Sequence, residues 1–90
     1  MAMEGVFDKL KAQLEQEEWP NVYLFKFIVP NDSEHIARVY ALFGSEADIQ
    51  SQPSRNGNFV SISVKEMMMD VDSIIAIYEK SAEFKGLIAL

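Results

Sequence analysis

Ninety residues with 14 acidic and eight basic side chains, a formal charge of −6, make one small domain and argue against a phosphate-backbone ligand, whose affinity comes from clustered Lys and Arg. A hydrophobic content of 49% takes the chain out of the disordered class, and the lack of cysteine excludes disulfide and thiolate chemistry. A single histidine leaves little from which to build a metal site, so no metal and no cofactor are expected.

Met3, Phe7, Leu10 and Leu14 fall on one stripe of an N-terminal amphipathic helix, with Asp8, Lys9, Lys11 and Glu15 on its other side. Pro20 disfavours helical geometry at Trp19, so this helix is expected to end near Glu17 or Glu18, with Trp19 anchoring the corner. The expected division is a helical segment over residues 1–18 followed by a domain over 19–90. The acidic start of the chain does not read as a signal peptide. The longest apolar run, Val22 to Val29, is broken by Lys26 and is far too short to span a bilayer. A cytoplasmic protein is expected.

Val22 to Val29 reads as the first strand, with Tyr23, Phe25, Phe27 and Val29 on the core face and Val22, Leu24, Lys26 and Ile28 on the other. Pro30 ends it, and Asn31 or Asp32 is placed to cap a helix, with Glu34 completing an approximate capping box behind Asn31. Ile36, Val39, Tyr40 and Phe43 form that helix's apolar stripe, and Gly44 stands where a left-handed terminating residue is expected. Ala47 to Ser51 is polar enough for an edge strand. Asn56-Gly57 then predicts a tight hairpin with positive φ at both residues, leading into a strand whose Val60, Ile62 and Val64 face a core. Met67, Met68 and Met69 read as a strand-to-helix bend with one or two side chains buried, or alternatively as an adaptable partner surface. Asp70 caps a second helix on the stripe Val71, Ile74, Ile75 and Tyr78, and Lys85 to Leu90 makes a final strand. Asp32, Ile36 and Tyr40 recur 38 residues later as Asp70, Ile74 and Tyr78, a weak echo between the halves.

This order predicts an α+β fold, a ferredoxin-like βαββαβ antiparallel sheet with two helices on one face, preceded by the N-terminal helix. Right-handed crossovers place the first and third strands together at the centre. Leu24, Lys26, Ile28, Phe59, Ser61 and Ser63 are then left on the open face, which the N-terminal helix or a second subunit is expected to cover in part.

Trp19-Pro20, Tyr23-x-Phe25-Lys26-Phe27, Pro53-Ser54-Arg55-Asn56-Gly57-Asn58-Phe59-x-Ser61-x-Ser63 and Ile77-Tyr78 together resemble the YbeD-like family. These are small bacterial domains of unknown function, sometimes labelled lipoate regulatory proteins. The resemblance covers residues 19–90 and implies a fold similar to the ACT regulatory domains that bind amino acids. The loop Val29-Pro30-Asn31-Asp32-Ser33 departs from the ACT pattern, since it carries no glycine where backbone would approach a small ligand.

No residue is assigned a catalytic role. His35, in a first helical turn, reads as a solvated residue, and the carboxylates at Glu15, Glu17, Glu18, Asp70 and Asp72 read as a solvated end and a helix start. The RNA-binding pattern of this topology is met only faintly by Arg55, Gly57, Phe59 and Val60. Lys26 is the most informative residue, because a charge in mid-strand among apolar neighbours needs a partner or a route to water. It reads either as a snorkelling lysine or as an anchor for a partner's carboxylate, with Ser61 beside it. Arg55, between Ser54 and Asn56 at a rigid loop tip, is the second candidate. The expected binding set is therefore Lys26, Ser54, Arg55, Asn56, Gly57, Phe59 and Ser61. The expected function is a non-enzymatic regulatory or adaptor module that binds a protein partner through the open face and the 53–59 hairpin, without nucleic acid or membrane. A dimeric ACT-like sensor of an amino acid or lipoyl-type acid is the alternative.

Overall fold

A computed structural model describes residues 7–89. The elements run α1 (Asp8–Leu14), β1 (Asn21–Pro30), α2 (Ser33–Tyr40), β2 (Asp48–Pro53), β3 (Phe59–Met68), α3 (Val71–Ser81) and β4 (Ile88–Ala89). The four strands form one antiparallel sheet in the order β2-β3-β1-β4, the ferredoxin-like arrangement, with β1 and β3 paired along ten residues from Asn21↔Met68 to Pro30↔Phe59.

Alternation in the sequence becomes two unlike faces of that central ladder. Phe25, Phe27, Val29, Val60, Ile62 and Val64 point into the core, where Val39 of α2 and Val71, Ile74 and Tyr78 of α3 meet them. The Phe25 ring lies 5.1 Å from that of Phe43 and 5.5 Å from that of Tyr78, within the range at which tilted aromatic pairs attract. Across the same layer the hydroxyls of Tyr23 and Tyr78 share a hydrogen bond of 3.0 Å.

Both predicted caps form with the aspartates. Asp32 Oδ1 accepts from the His35 backbone N–H and Asp70 Oδ1 from that of Ser73, each at 2.8 Å. The first cap is therefore Asp32, and Glu34 closes no capping box behind Asn31 but pairs with Arg38 at 3.0 Å one turn on. The echo between halves holds at these caps and fails at the tyrosines, for Tyr78 is buried whereas Tyr40 is exposed. Helix α2 ends at Tyr40 and hands over to turns, and Gly44 is not left-handed: among the described residues Gly57 and Gly86 are the ones with positive φ.

Other elements also depart from the sequence-based expectation. Strand β3 runs through Lys65, Glu66 and Met67 to Met68, so Met68 is a buried strand residue while Met67 and Met69 stay exposed. The hairpin is wider than a two-residue turn, because Asn56 keeps negative φ and Gly57 alone takes the left-handed conformation at φ +78°. The Gly57 N–H bonds Ser54 O at 2.9 Å, and the Ser54 N–H bonds Phe59 O at 2.7 Å. Among the described residues strand β4 is Ile88–Ala89 and starts three residues later than expected, since Gly86 at φ +83° turns the chain just before it.

Helix α1 packs beside α3 rather than on the open face of the sheet. Leu14 is buried, the Phe7 ring lies 6.0 Å from that of Tyr78, and Lys11 pairs with Asp72 at 3.5 Å. It ends at Leu14, three residues before the expected stop. Trp19 fixes the corner by donating its indole N–H to Leu14 O at 2.8 Å. Met3, part of the expected stripe, and Leu90 lie outside the described residues.

Candidate functional site

With α1 on the helix layer, the outer face of the sheet is bare among the described residues. Cα pairing fixes its map: Leu24 lies opposite Lys65, Lys26 opposite Ser63, and Ile28 opposite both Ser61 and Ile88. On the other flank Asp48, Gln50 and Gln52 of β2 face Lys65, Ser63 and Ser61. Val22, Leu24, Phe59, Met67 and Ile88 each keep between 45% and 57% of their surface open, an apolar exposure that does not serve the core.

Lys26 sits at the middle of this face. It lines a shallow depression of about 280 Å³ with Gln50, Gln52, Ser61 and Ser63. No ion pair to Lys26 occurs among the described residues, and its direct neighbour is Ser63 rather than Ser61, which lies one pair further along. Two lysines, Lys26 and Lys65, thus stand on the face, and Asp48 on the edge strand is the acid closest in register. Local charge here runs against the −6 of the whole chain.

The hairpin closes one end of the same strip. Phe59 and Ser61 share the face of Lys26, and Phe59 is four residues along β3 from Ser63, about 13 Å at the usual strand rise. Within the turn, Ser54 Oγ donates to Asn56 Oδ1 at 3.0 Å and accepts from the Phe59 N–H at 3.1 Å, while Asn56 Oδ1 also accepts from the Asn58 N–H. These two polar side chains are occupied in shaping the turn. Asn31 staples the turn to the β1–α2 loop, its side chain donating to Gly57 O at 2.9 Å and its backbone N–H to Asn58 O at 3.0 Å. Arg55 is left exposed at the tip of a rigid loop. Lys26, Phe59 and Ser61 therefore form one surface, with Arg55 at its far end.

A second cluster was not foreseen from the sequence. His35 is half-buried and fixed at both ring nitrogens: Nδ1 lies 2.7 Å from Asp32 Oδ2, and Nε2 lies 3.1 Å from the carbonyl oxygen of Lys85. The hydrogen bond to Asp32 raises the pKa of His35 above the usual imidazole value, and the bonds from His35 hold the Asp32 carboxyl below its usual range. The Asp32-x-x-His35 spacing was the one sequence signal available. Its other partner is a backbone carbonyl, which leaves no trace in residue identity.

A four-stranded antiparallel sheet with two helices closing one face and a third beside them defines a ferredoxin-like α+β domain. The chain belongs to the family described as Protein of unknown function (DUF493), which matches residues 15–88 and takes in the YbeD-like proteins. No curated protein and no solved structure matches the chain. Among the described residues no helix is long and apolar enough to cross a membrane.

Proposed function

We propose that the domain is a non-enzymatic adaptor or regulatory module whose open sheet face docks a partner protein segment bearing apolar side chains and a carboxylate. The bare apolar rim around Lys26 carries this reading. Five large apolar side chains lie open on a face that its own N-terminal helix leaves uncovered, and monomeric domains do not usually keep such patches without a use. Lys26 and Lys65 select the charge of the partner, since a carboxylate that reaches Lys26 there is partly shielded from water by the same rim. The domain's only histidine supports a non-catalytic role, as both of its ring nitrogens are committed to structural bonds. Phe59 and the tip residue Arg55 extend the surface along the hairpin.

Zero-length carboxyl-to-amine crosslinking in native lysate, followed by mass spectrometry, tests this directly. The expected products join a partner's Asp or Glu to Lys26 or Lys65. Crosslinks confined to lysines of the helix layer, or a Lys26→Ala/Arg55→Ala variant that captures the same proteins as wild type, would overturn the reading.

The depression beside Lys26 supports a second reading, a sensor of small carboxylic acids, amino acids or lipoyl-type acids, acting as a dimer. A thermal-shift series with these acids that leaves the melting temperature unmoved removes it.

A further inference from the structure

His35 joins two parts of the fold that are far apart in sequence. Its ring spans from Asp32, at the start of α2, to the Lys85 carbonyl in the turn that leads into β4. Both partners are acceptors only. A carboxylate and a carbonyl oxygen can each take a proton but cannot give one, so the two bonds form together only when both ring nitrogens carry hydrogen. The geometry is therefore that of an imidazolium.

Close approach of the turn is built in. Gly86 follows Lys85 at φ +83°, and a Cβ there would lie 3.2 Å from His35 Nε2 and 3.4 Å from Pro30 Cγ. The absence of a side chain at Gly86 lets the turn reach the ring. A second clasp runs alongside, with the Arg38 guanidinium 5.2 Å from the centroid of the Phe84 ring. That contact does not titrate in the neutral range, because arginine stays charged.

We propose that His35 is a proton-gated latch: as imidazolium it ties the α3–β4 turn to the start of α2 and holds β4 against β1, and on losing one proton it releases the turn. The Asp32 carboxylate retains the proton on Nδ1, so the proton lost to solvent is the one on Nε2. That nitrogen then turns a lone pair toward the lone pairs of the Lys85 carbonyl, and a bond becomes a repulsion. The charged groups around the ring are Asp32, Glu34 and Arg38 from the α2 side and Glu83 and Lys85 from the α3–β4 segment. Glu34 is paired with Arg38 at 3.0 Å; Asp32 is the stronger charge acting on the imidazole, and Glu34 adds a weaker push in the same direction.

The sign follows from the raised pKa of His35. The latch contribution is fully present below the ordinary imidazole pKa of about 6.5 and is lost as pH rises through the folded value. Among the described residues β4 pairs with β1 at Phe27↔Ala89 and Ile28↔Ile88, a short ladder, so loosening of the turn beside it reaches the strand and the Ile28 side chain that it flanks.

Nitrogen-15 NMR tests the latch, because one histidine in the chain makes its ring signals unambiguous. Ring protonation and the heteronuclear NOE of residues 85–89 are followed together from about pH 5 to about pH 9, the range in which imidazole changes charge. The expected result is a His35 midpoint above about 6.5, loss of order in residues 85–89 at that same midpoint, and a neutral ring that keeps its proton on Nδ1. Asp32→Asn keeps a capping oxygen but removes the charge, and is expected to bring the midpoint down to or below about 6.5. His35→Gln is expected to abolish the pH dependence of residues 85–89. Unchanged order in residues 85–89 while the wild-type ring titrates, or pH dependence that survives in His35→Gln, overturns the proposal.

Discussion

The hydroxyl pair of Tyr23 and Tyr78 offers a quantitative test of how α3 is held on the sheet. Removing either oxygen leaves the rings and their edge-on packing at 6.4 Å and 89° in place, so the change is confined to one hydrogen bond of 3.0 Å. The two deletions are not equivalent. Tyr78→Phe leaves the hydroxyl of half-buried Tyr23, which can turn to water, and the expected cost is the net worth of one neutral hydrogen bond, about 0.5–1.5 kcal/mol. Tyr23→Phe leaves the hydroxyl of Tyr78, a residue only 7% exposed. The cost there rises toward the penalty for a buried unpaired group, about 1–3 kcal/mol. The double variant removes both partners together and is expected to show a coupling of about 1 kcal/mol against the sum of the singles. Urea unfolding of the four proteins, with m-values compared to exclude changes in the unfolded state, measures each number. In a domain of this size about 1 kcal/mol corresponds to roughly 4–8 °C in Tm. Tyr78→Phe costing as much as Tyr23→Phe, or a coupling indistinguishable from zero, would refute the reasoning. Alkaline pH gives an independent check, since burial and then the bond to Tyr23 push the Tyr78 phenol well above its usual range. Its contribution is present below about pH 10 and is lost above that, where the unfolded tyrosine ionises first. Tyr78→Phe is expected to flatten that part of the alkaline decline.

Two further substitutions separate strain from crowding. Gly57→Ala places a Cβ in open space, so its cost is that of the left-handed backbone alone, roughly 1–2 kcal/mol by chemical denaturation. Gly86→Ala carries the same strain and also presses on His35 and Pro30, so it is expected to cost more and to displace the histidine midpoint, whereas Gly57→Ala leaves that midpoint fixed. At α3, Asp70→Ala is expected to lower Tm more than Asp70→Asn, because asparagine keeps an oxygen for the Ser73 N–H. The bonds from Ser73 hold the Asp70 carboxyl below its usual range, so the difference between Asp70 and Asn is present above about pH 4 and closes as pH falls through the folded value.

Much of the fold was legible because two signals are local and strong. Alternation in Tyr23–Val29 and Val60–Val64 named the core faces, and capping residues before each apolar stripe, Asn31 or Asp32 and then Asp70, marked the helix starts, with the choice of Asp32 left to the structure. What escaped was decided by partners that sequence does not mark. The pattern of β3 continues as Val64, Glu66 and Met68 inward against Lys65 and Met67 outward, but the charges at Lys65 and Glu66 hide the alternation. Leu10 and Leu14 state that α1 needs a cover without saying which surface supplies it, and Phe7 against Tyr78 decided for α3. At the hairpin, Asn-Gly marked the turn correctly, yet five residues between Pro53 and Phe59 allowed Asn56 to keep negative φ and spend its side chain on neighbouring groups. Of the candidate surface, Lys26, Ser61 and Phe59 could be placed from strand parity alone. The uncovered state of their face depended on where α1 went.

Lys26 also bears on how the chain finds its pairing. The ten-residue ladder between β1 and β3 has apolar side chains on both faces of β1, with Val22, Leu24 and Ile28 on one and Phe25, Phe27 and Val29 on the other. By hydrophobicity alone, β1 displaced by one residue would still present a greasy surface to the helices, and such displacement is the usual error of strands with two apolar faces. In the displaced frame the ammonium of Lys26 would sit among Phe43, Val39 and Tyr78, where an unpaired charge is far too costly to keep. One lysine thus makes an otherwise ambiguous strand readable in a single frame, and replacing it with methionine would remove the mark that tells the two faces apart.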